Sequence, residues 1–212
     1  MFTVKAFTFS PISENTYLLY NEEREALLID PGCYFETERE ELQSFIATHN
    51  LQLRLLLNTH CHLDHVFGTK WVHDTYGLLL HIHPEEEQVL AFASSSGLMW
   101  NLPFDSYNAA LRYFKAGDRF RLGQDELEVI EAPGHSPGHV CFYCAAQDFV
   151  IGGDVLFRES IGRTDLPGGD FQTLIRSIQT KLLVLPERTV VYSGHGPATT
   201  IGHEKRHNPF LQ

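Results

Sequence analysis

The stretch Thr59-His60-Cys61-His62-Leu63-Asp64-His65 places three histidines and one aspartate within six residues, directly after the apolar run Leu55-Leu56-Leu57. Polar side chains of this kind cost several kcal/mol if buried unpaired, so the spacing reads as a metal-binding turn at the end of a strand. Three further turns carry the same chemistry: His135 within Pro133-Gly134-His135-Ser136-Pro137-Gly138-His139, Asp154 after Gly152-Gly153, and His195 between Gly194 and Gly196. Glycine lets the backbone turn sharply and approach a centre closely. The candidate ligands are therefore His60, His62, Asp64, His65, His135, Asp154 and His195. Imidazole and carboxylate donors suit zinc, iron or manganese rather than a soft thiolate site. His139 is a candidate for holding a ligand in place, and the remaining histidines read as surface or core residues.

The elements that must present these residues are legible from periodicity. Residues 2–9 and 15–20 read as paired strands, and Ala26-Leu27-Leu28-Ile29 as a buried strand stopped by Asp30-Pro31-Gly32. The spacing predicts a helix over 36–49, a strand over 53–58 that delivers the motif, a helix over 66–76 and a strand over 78–82. A helix starting at Pro84 is expected to stop at Ser94-Ser95-Ser96-Gly97, and residues 84–115 read as a substrate lid or a dimer contact. Strands over 118–122, 126–131, 140–145, 149–152 and 189–192, with a helix over 171–183, complete the chain. This pattern suits a single domain over residues 1–212, an α/β architecture of two face-to-face sheets with helices outside.

Composition narrows the function. An apolar share of 43% with 20% charged residues describes a globular chain, and a net charge of −11 argues against nucleic-acid or anionic-membrane partners. No apolar run approaches the ~20 residues of a membrane span, and the N-terminus lacks signal-peptide features; the expected location is the cytoplasm. Cys141 and Cys144 form a C-x-x-C, but on a strand they face opposite ways. They read as packing residues, as do Cys33 and Cys61, for which a reactive thiol is the alternative.

The series His60-x-His62-x-Asp64-His65, His135, Asp154, His195 resembles the metallo-β-lactamase superfamily over residues 58–195. The resemblance implies an αβ/βα four-layer sandwich of two mixed β-sheets with helices on the outer faces. It implies that His60, His62 and His135 hold one divalent ion, that Asp64, His65 and His195 hold a second, and that Asp154 bridges them. Aspartate at 154, where a cysteine would suggest true β-lactamases, points to the glyoxalase II (hydroxyacylglutathione hydrolase) branch. Gly153-Asp154-Val155-Leu156-Phe157, Gly162-Arg163-Thr164-Asp165, His195 to Gly202 and Asn208-Pro209-Phe210-Leu211 are similar to the short bacterial glyoxalase II-like hydrolases. Two departures bear on glutathione specificity: the C-terminal helical domain that helps bind glutathione in full-length enzymes is not expected here, and Gly162-Arg163-Thr164-Asp165 replaces Gly-Lys-Phe-Tyr.

The implied activity is hydrolysis of a small-molecule thioester such as S-lactoylglutathione, with Asp64 and Asp154 as catalytic carboxylates. Two divalent ions, zinc foremost, about 3.5–4 Å apart, would generate hydroxide near neutral pH, and Asp64 would orient it. Arg163 would bind a substrate carboxylate or pair with Asp165. A mono-iron persulfide dioxygenase using His60, His135 and Asp154 is the alternative within enzymes. A non-catalytic metal-binding protein is the alternative of another class, and a homodimer is compatible with either.

Overall fold

The structure, a computed structural model, describes all 212 residues, Met1–Gln212. The chain divides into two compact units, Met1–Phe114 with Arg121–Asp125, and Lys115–Phe120 with Glu126–Gln212.

In the first unit, β1 (Thr3–Phe9) turns through Ser10 and Ser13, both at positive φ, into β2 (Glu14–Tyr20), which pairs antiparallel with β3 (Glu25–Ile29). There follow α1 (Glu36–Thr48), β4 (Gln52–Leu57), α2 (Leu63–Val66), α3 (Thr69–Tyr76), β5 (Leu80–Ile82), a 3-10 turn at Pro84–Glu86, α4 (Glu87–Met99) and β6 (Arg112–Tyr113). Sheet order is β1-β2-β3-β4-β5-β6, with β3 to β6 parallel. β2 is buried at every position but Tyr20 and β3 at every position but Glu25, as suits strands covered on both faces. Leu18, Leu28, Leu42, Ile46, Leu56, Val72 and Leu80 form the core around them. Parallel neighbours bring their carboxyl ends to one edge, where ligands bind in such sheets. Asp30 follows β3 and Thr59-His60 follows β4, so this pairing makes neighbours of segments far apart in sequence.

Two helices differ from expectation. The helix over 66–76 is interrupted at Phe67-Gly68, where the Gly68 N–H donates to the Pro31 carbonyl at 2.8 Å instead of to the carbonyl four residues back; a Cβ at Gly68 would stand 2.3 Å from Cys33 Sγ and 2.9 Å from the Pro31 carbonyl. The helix expected to end at Ser94–Gly97 runs on to Met99, and Gly97 packs its bare Cα against the Leu102 carbonyl, 2.7 Å from where a Cβ would stand.

The second sheet has the order β14-β13-β10-β9-β8-β7, from β7 (Arg119–Leu122), β8 (Asp125–Glu131), β9 (Val140–Cys144), β10 (Phe149–Gly153), β13 (Val190–Ser193) and β14 (Thr199–Thr200). Between β10 and β13 come a small hairpin of β11 (Leu156–Phe157) and β12 (Ser160–Ile161), then α5 (Phe171–Ser177), which continues as a π-helical turn at Ile178–Leu182. The chain closes on α6 (Ile201–His207), capped by the Thr200 hydroxyl accepting from the His203 N–H at 3.1 Å. β10 and β13 are parallel and β9 and β10 antiparallel, so this sheet is mixed as well. Cys141, Val150, Leu174, Ile178, Leu182, Val191 and Ile201 form the second core. No helix is long and apolar enough to cross a membrane.

Candidate metal centre

In the first unit the motif leaves β4 and bends through His60-Cys61-His62 into the single turn of α2, which carries Asp64 and His65. The rings of His60 and His65 lie 4.1 Å apart and those of His60 and His62 4.8 Å apart. His65 Nε2 is 3.8 Å from Asp64 Oδ2. The structure thus brings together all four motif residues, with His60 and His65 fully buried and His62 half-buried.

Buried polar groups hold this turn. The Asn58 amide donates to the carbonyls of His60 (3.1 Å) and His65 (2.8 Å), closing the loop on itself. The carboxylate of Glu86 accepts from the Cys61 N–H at 2.8 Å. Asp30 accepts from the Thr59 N–H at 2.7 Å through Oδ1 and from the Thr59 hydroxyl at 2.6 Å through Oδ2, which also lies 3.1 Å from His65 Nδ1.

These contacts set the tautomers. The Thr59 hydroxyl, having given its proton to Asp30, can only accept from His60 Nδ1 at 3.1 Å. His65 Nδ1 likewise donates to the Asp30 carboxylate. In the neutral rings Nε2 is then the lone-pair nitrogen, the arrangement typical of histidine ligands. Asp30, His60 and His65 could in principle share an ion, but the oxygens of Asp30 already serve Thr59 and His65, so it is a support. Behind His65 sits Glu14, fully buried, with Oε1 3.8 Å from His65 Nδ1. Burial pushes its carboxyl well above the ordinary carboxylate range, against the opposing pull of His65.

In the second unit, His135 lies between β8 and β9, Asp154 just past β10, and His195 just past β13. Asp154 Oδ2 is 3.5 Å from His135 Nε2 and 3.5 Å from His195 Nε2. His135 Nδ1 lies 2.8 Å from the Arg163 carbonyl, which can only accept, so Nδ1 carries a proton and Nε2 is the lone-pair nitrogen of the neutral ring. His139 accepts from the Asp154 backbone N–H at 3.0 Å and so fixes the segment that carries the carboxylate. The Arg163 guanidinium is engaged by Asp165 through two 2.7 Å bonds. This pairing holds the Asp165 carboxyl at about 2.

His65 in the first unit and His135 in the second each have Nδ1 engaged and Nε2 beside a carboxylate, and imidazole and carboxylate donors of this kind fit hard or borderline divalent ions. Residues 10–195 match the family described as the metallo-beta-lactamase superfamily. The chain belongs to that superfamily.

Other members of the superfamily match nearly the whole chain. A probable metallo-hydrolase of Bacillus subtilis, YqgX, is 38% identical and covers 95% of this chain and 93% of its own. The hydroxyacylglutathione hydrolase GloC of Haemophilus influenzae is 37% identical over 98% and 97%. Among solved structures, the B3 metallo-beta-lactamase BLEG-1 superposes with a TM-score of 0.90 at 39% identity, over 99% of this chain and 100% of that one. TTHA1623 in a di-iron-bound form gives 0.89 at 39% identity, over 98% and 100%. The fold is therefore the α/β metallo-β-lactamase fold, and both units contribute a mixed sheet to it.

The supporting roles of Asp30, Glu14, Asn58 and Glu86 were not read from the sequence. Asp30 had a signal, an Asp-Pro-Gly turn after a buried strand. Glu14 had a weaker one, a carboxylate heading an otherwise uncharged strand.

Proposed function

We propose that the protein is a metal-dependent thioester hydrolase acting on small acyl thioesters of the S-lactoylglutathione kind. His60, His62 and His135 would hold one divalent ion and Asp64, His65 and His195 a second, with Asp154 bridging. The observation that carries this reading is the Asp154 carboxylate, whose Oδ2 is equidistant from the Nε2 atoms of His135 and His195. A relative named hydroxyacylglutathione hydrolase supports the substrate class.

Divalent ions bound there supply Lewis acidity, bringing the pKa of water toward neutrality and polarising an acyl carbonyl. The protein's own part is positional. Asp64, 7% exposed, accepts a hydrogen bond from the attacking water and aims it. Asp30, Thr59 and the Arg163 carbonyl hold the ligand rings, so no reorganisation is needed during turnover. The leaving thiolate needs no general acid, since a thiol pKa is only about 8.5.

Hydrolysis of S-lactoylglutathione by the purified chain and by His62→Ala tests the reading. Loss of bound metal and turnover together is expected in the variant, and turnover retained without metal would sink the proposal. Oxygen uptake on glutathione persulfide in place of hydrolysis would establish the dioxygenase instead.

A further inference from the structure

The β11–β12 hairpin carries the chain from Asp154 to Arg163, and it is held by residues far along the sequence. Ser193 Oγ donates to the Leu156 carbonyl at 2.7 Å. The Asn208 amide donates to the Ser160 carbonyl at 2.9 Å and to Glu204 Oε2 at 2.8 Å. Glu204 Oε2 also accepts the Glu159 N–H at 2.9 Å, and its Oε1 accepts from the Thr199 hydroxyl. Glu204 and Asn208 are fully buried. A buried carboxylate is tolerated when its oxygens are satisfied, and here its donors come from the hairpin turn, β14 and Asn208 just past α6. Glu159 sits at φ 57°, a conformation uncommon for a non-glycine residue, and Glu204 fixes its N–H there.

At its other end the hairpin sets two candidate ligands. Gly162 donates to the Val155 carbonyl at 3.3 Å, and its Cα lies so close to Asp154 that a Cβ would stand 1.9 Å from the Asp154 carbonyl oxygen. The next residue, Arg163, offers the carbonyl that receives His135 Nδ1 at 2.8 Å. A shift of the hairpin therefore displaces the acceptor of His135 and presses on the backbone of Asp154.

We propose that Glu204 and Asn208 are positioning residues for His135 and Asp154, acting through the β11–β12 hairpin. Neither touches substrate. The consequence for metal binding rests on the reading of His135 and Asp154 as ligands; the consequence for the His135 ring does not. A merely structural role for α6 would lower stability and leave the ring of His135 undisturbed.

The test uses the full chain with Asn208→Ala, Glu204→Ala and Glu204→Gln, read in two ways. One is solvent exchange of the His135 ring Nδ1 proton by nitrogen-15 NMR, assigned by its loss in His135→Gln. The other is zinc affinity by competition with a chromogenic chelator. Asn208→Ala and Glu204→Ala are expected to speed the exchange by about tenfold or more and to weaken zinc by about 10–100-fold. Glu204→Gln is expected to stay near wild type, because its carbonyl still accepts from Glu159 and Asn208 while the Thr199 hydroxyl turns to accept the amide. Folded Asn208→Ala protein with wild-type exchange and affinity would overturn the proposal, and it decides alone should Glu204→Ala not fold. Wild-type protein that binds no zinc would end the metal reading, and the exchange measurement would still decide this one.

Discussion

The backbone N–H of Asp154 donates to Nε2 of His139 at 3.0 Å, so His139 is a neutral imidazole that carries its proton on Nδ1. The residue anchors a candidate ligand from behind. His139→Ala leaves that N–H without its acceptor in a buried site, which costs about 1–3 kcal/mol, and lets the Asp154 segment shift. Denaturant unfolding of the metal-free protein should show that loss, and chelator competition should show zinc weakened by about 10–100-fold. Unaltered zinc affinity would mean that His139 does not position Asp154.

Asp30 makes the corresponding prediction for the other half of the candidate ligand set. Its carboxylate receives the Thr59 N–H, the Thr59 hydroxyl and His65 Nδ1. Asp30→Asn turns an amide NH2 toward at least one of those donors. Bonds to charged acceptors are worth about 1.5–3 kcal/mol each, so unfolding free energy should fall by about 2–4 kcal/mol. Metal-free protein as stable as wild type would show that the three contacts carry little of the fold.

Thiol chemistry should be absent from the folded chain. Cys33, Cys61, Cys141 and Cys144 are all buried. Burial pushes Cys33 up to about 12 and raises Cys61 well above the ordinary thiol range, with Glu86 adding to the effect at Cys61. Only the thiolate reacts; with a pKa about four units above pH 8, its fraction at Cys33 is roughly one in ten thousand. A disulfide reagent at pH 8 should label none of them in native protein and all four after denaturation. Rapid native labelling of Cys33 or Cys61 would revive the reactive-thiol alternative.

The Arg163–Asp165 pair has a pH signature. Hydrogen bonding to Arg163 depresses the Asp165 carboxyl to about 2 from 3.8. Because the folded value is the lower one, the pair's contribution is present above pH 3.8 and is lost as pH falls through about 2. Carbon-13 NMR titration of the Asp165 carboxyl should therefore give a midpoint near 2 at low salt, moving upward as salt screens the exposed pair. A midpoint near 3.8 would mean that Arg163 is free of Asp165 in solution and available to a substrate carboxylate.

Much of the candidate site was legible because its residues are local signals. His60 to His65 form one contiguous motif, and His135, Asp154 and His195 each stand in a glycine-rich turn after a strand. The supports were less visible, because their meaning depends on pairing. Asp30 meets Thr59 only because β3 and β4 are parallel neighbours, and Glu204 reaches Glu159 across a gap that no periodicity marks. The same holds for the fold. Long strands and α1 follow from apolar spacing, whereas the break at Gly68 goes with its N–H turning to the Pro31 carbonyl, far back in the sequence. The two-residue strands β6, β11, β12 and β14 are too short to leave a pattern.

Elemental analysis of the purified chain, beside its protein concentration, tests the central claim most directly. The account predicts two divalent ions per chain, falling well below two in Asp154→Ala, which lacks the carboxylate proposed to bridge them. A chain that holds a single ion with Asp154 intact, or that holds two with Asp154 replaced, would contradict it.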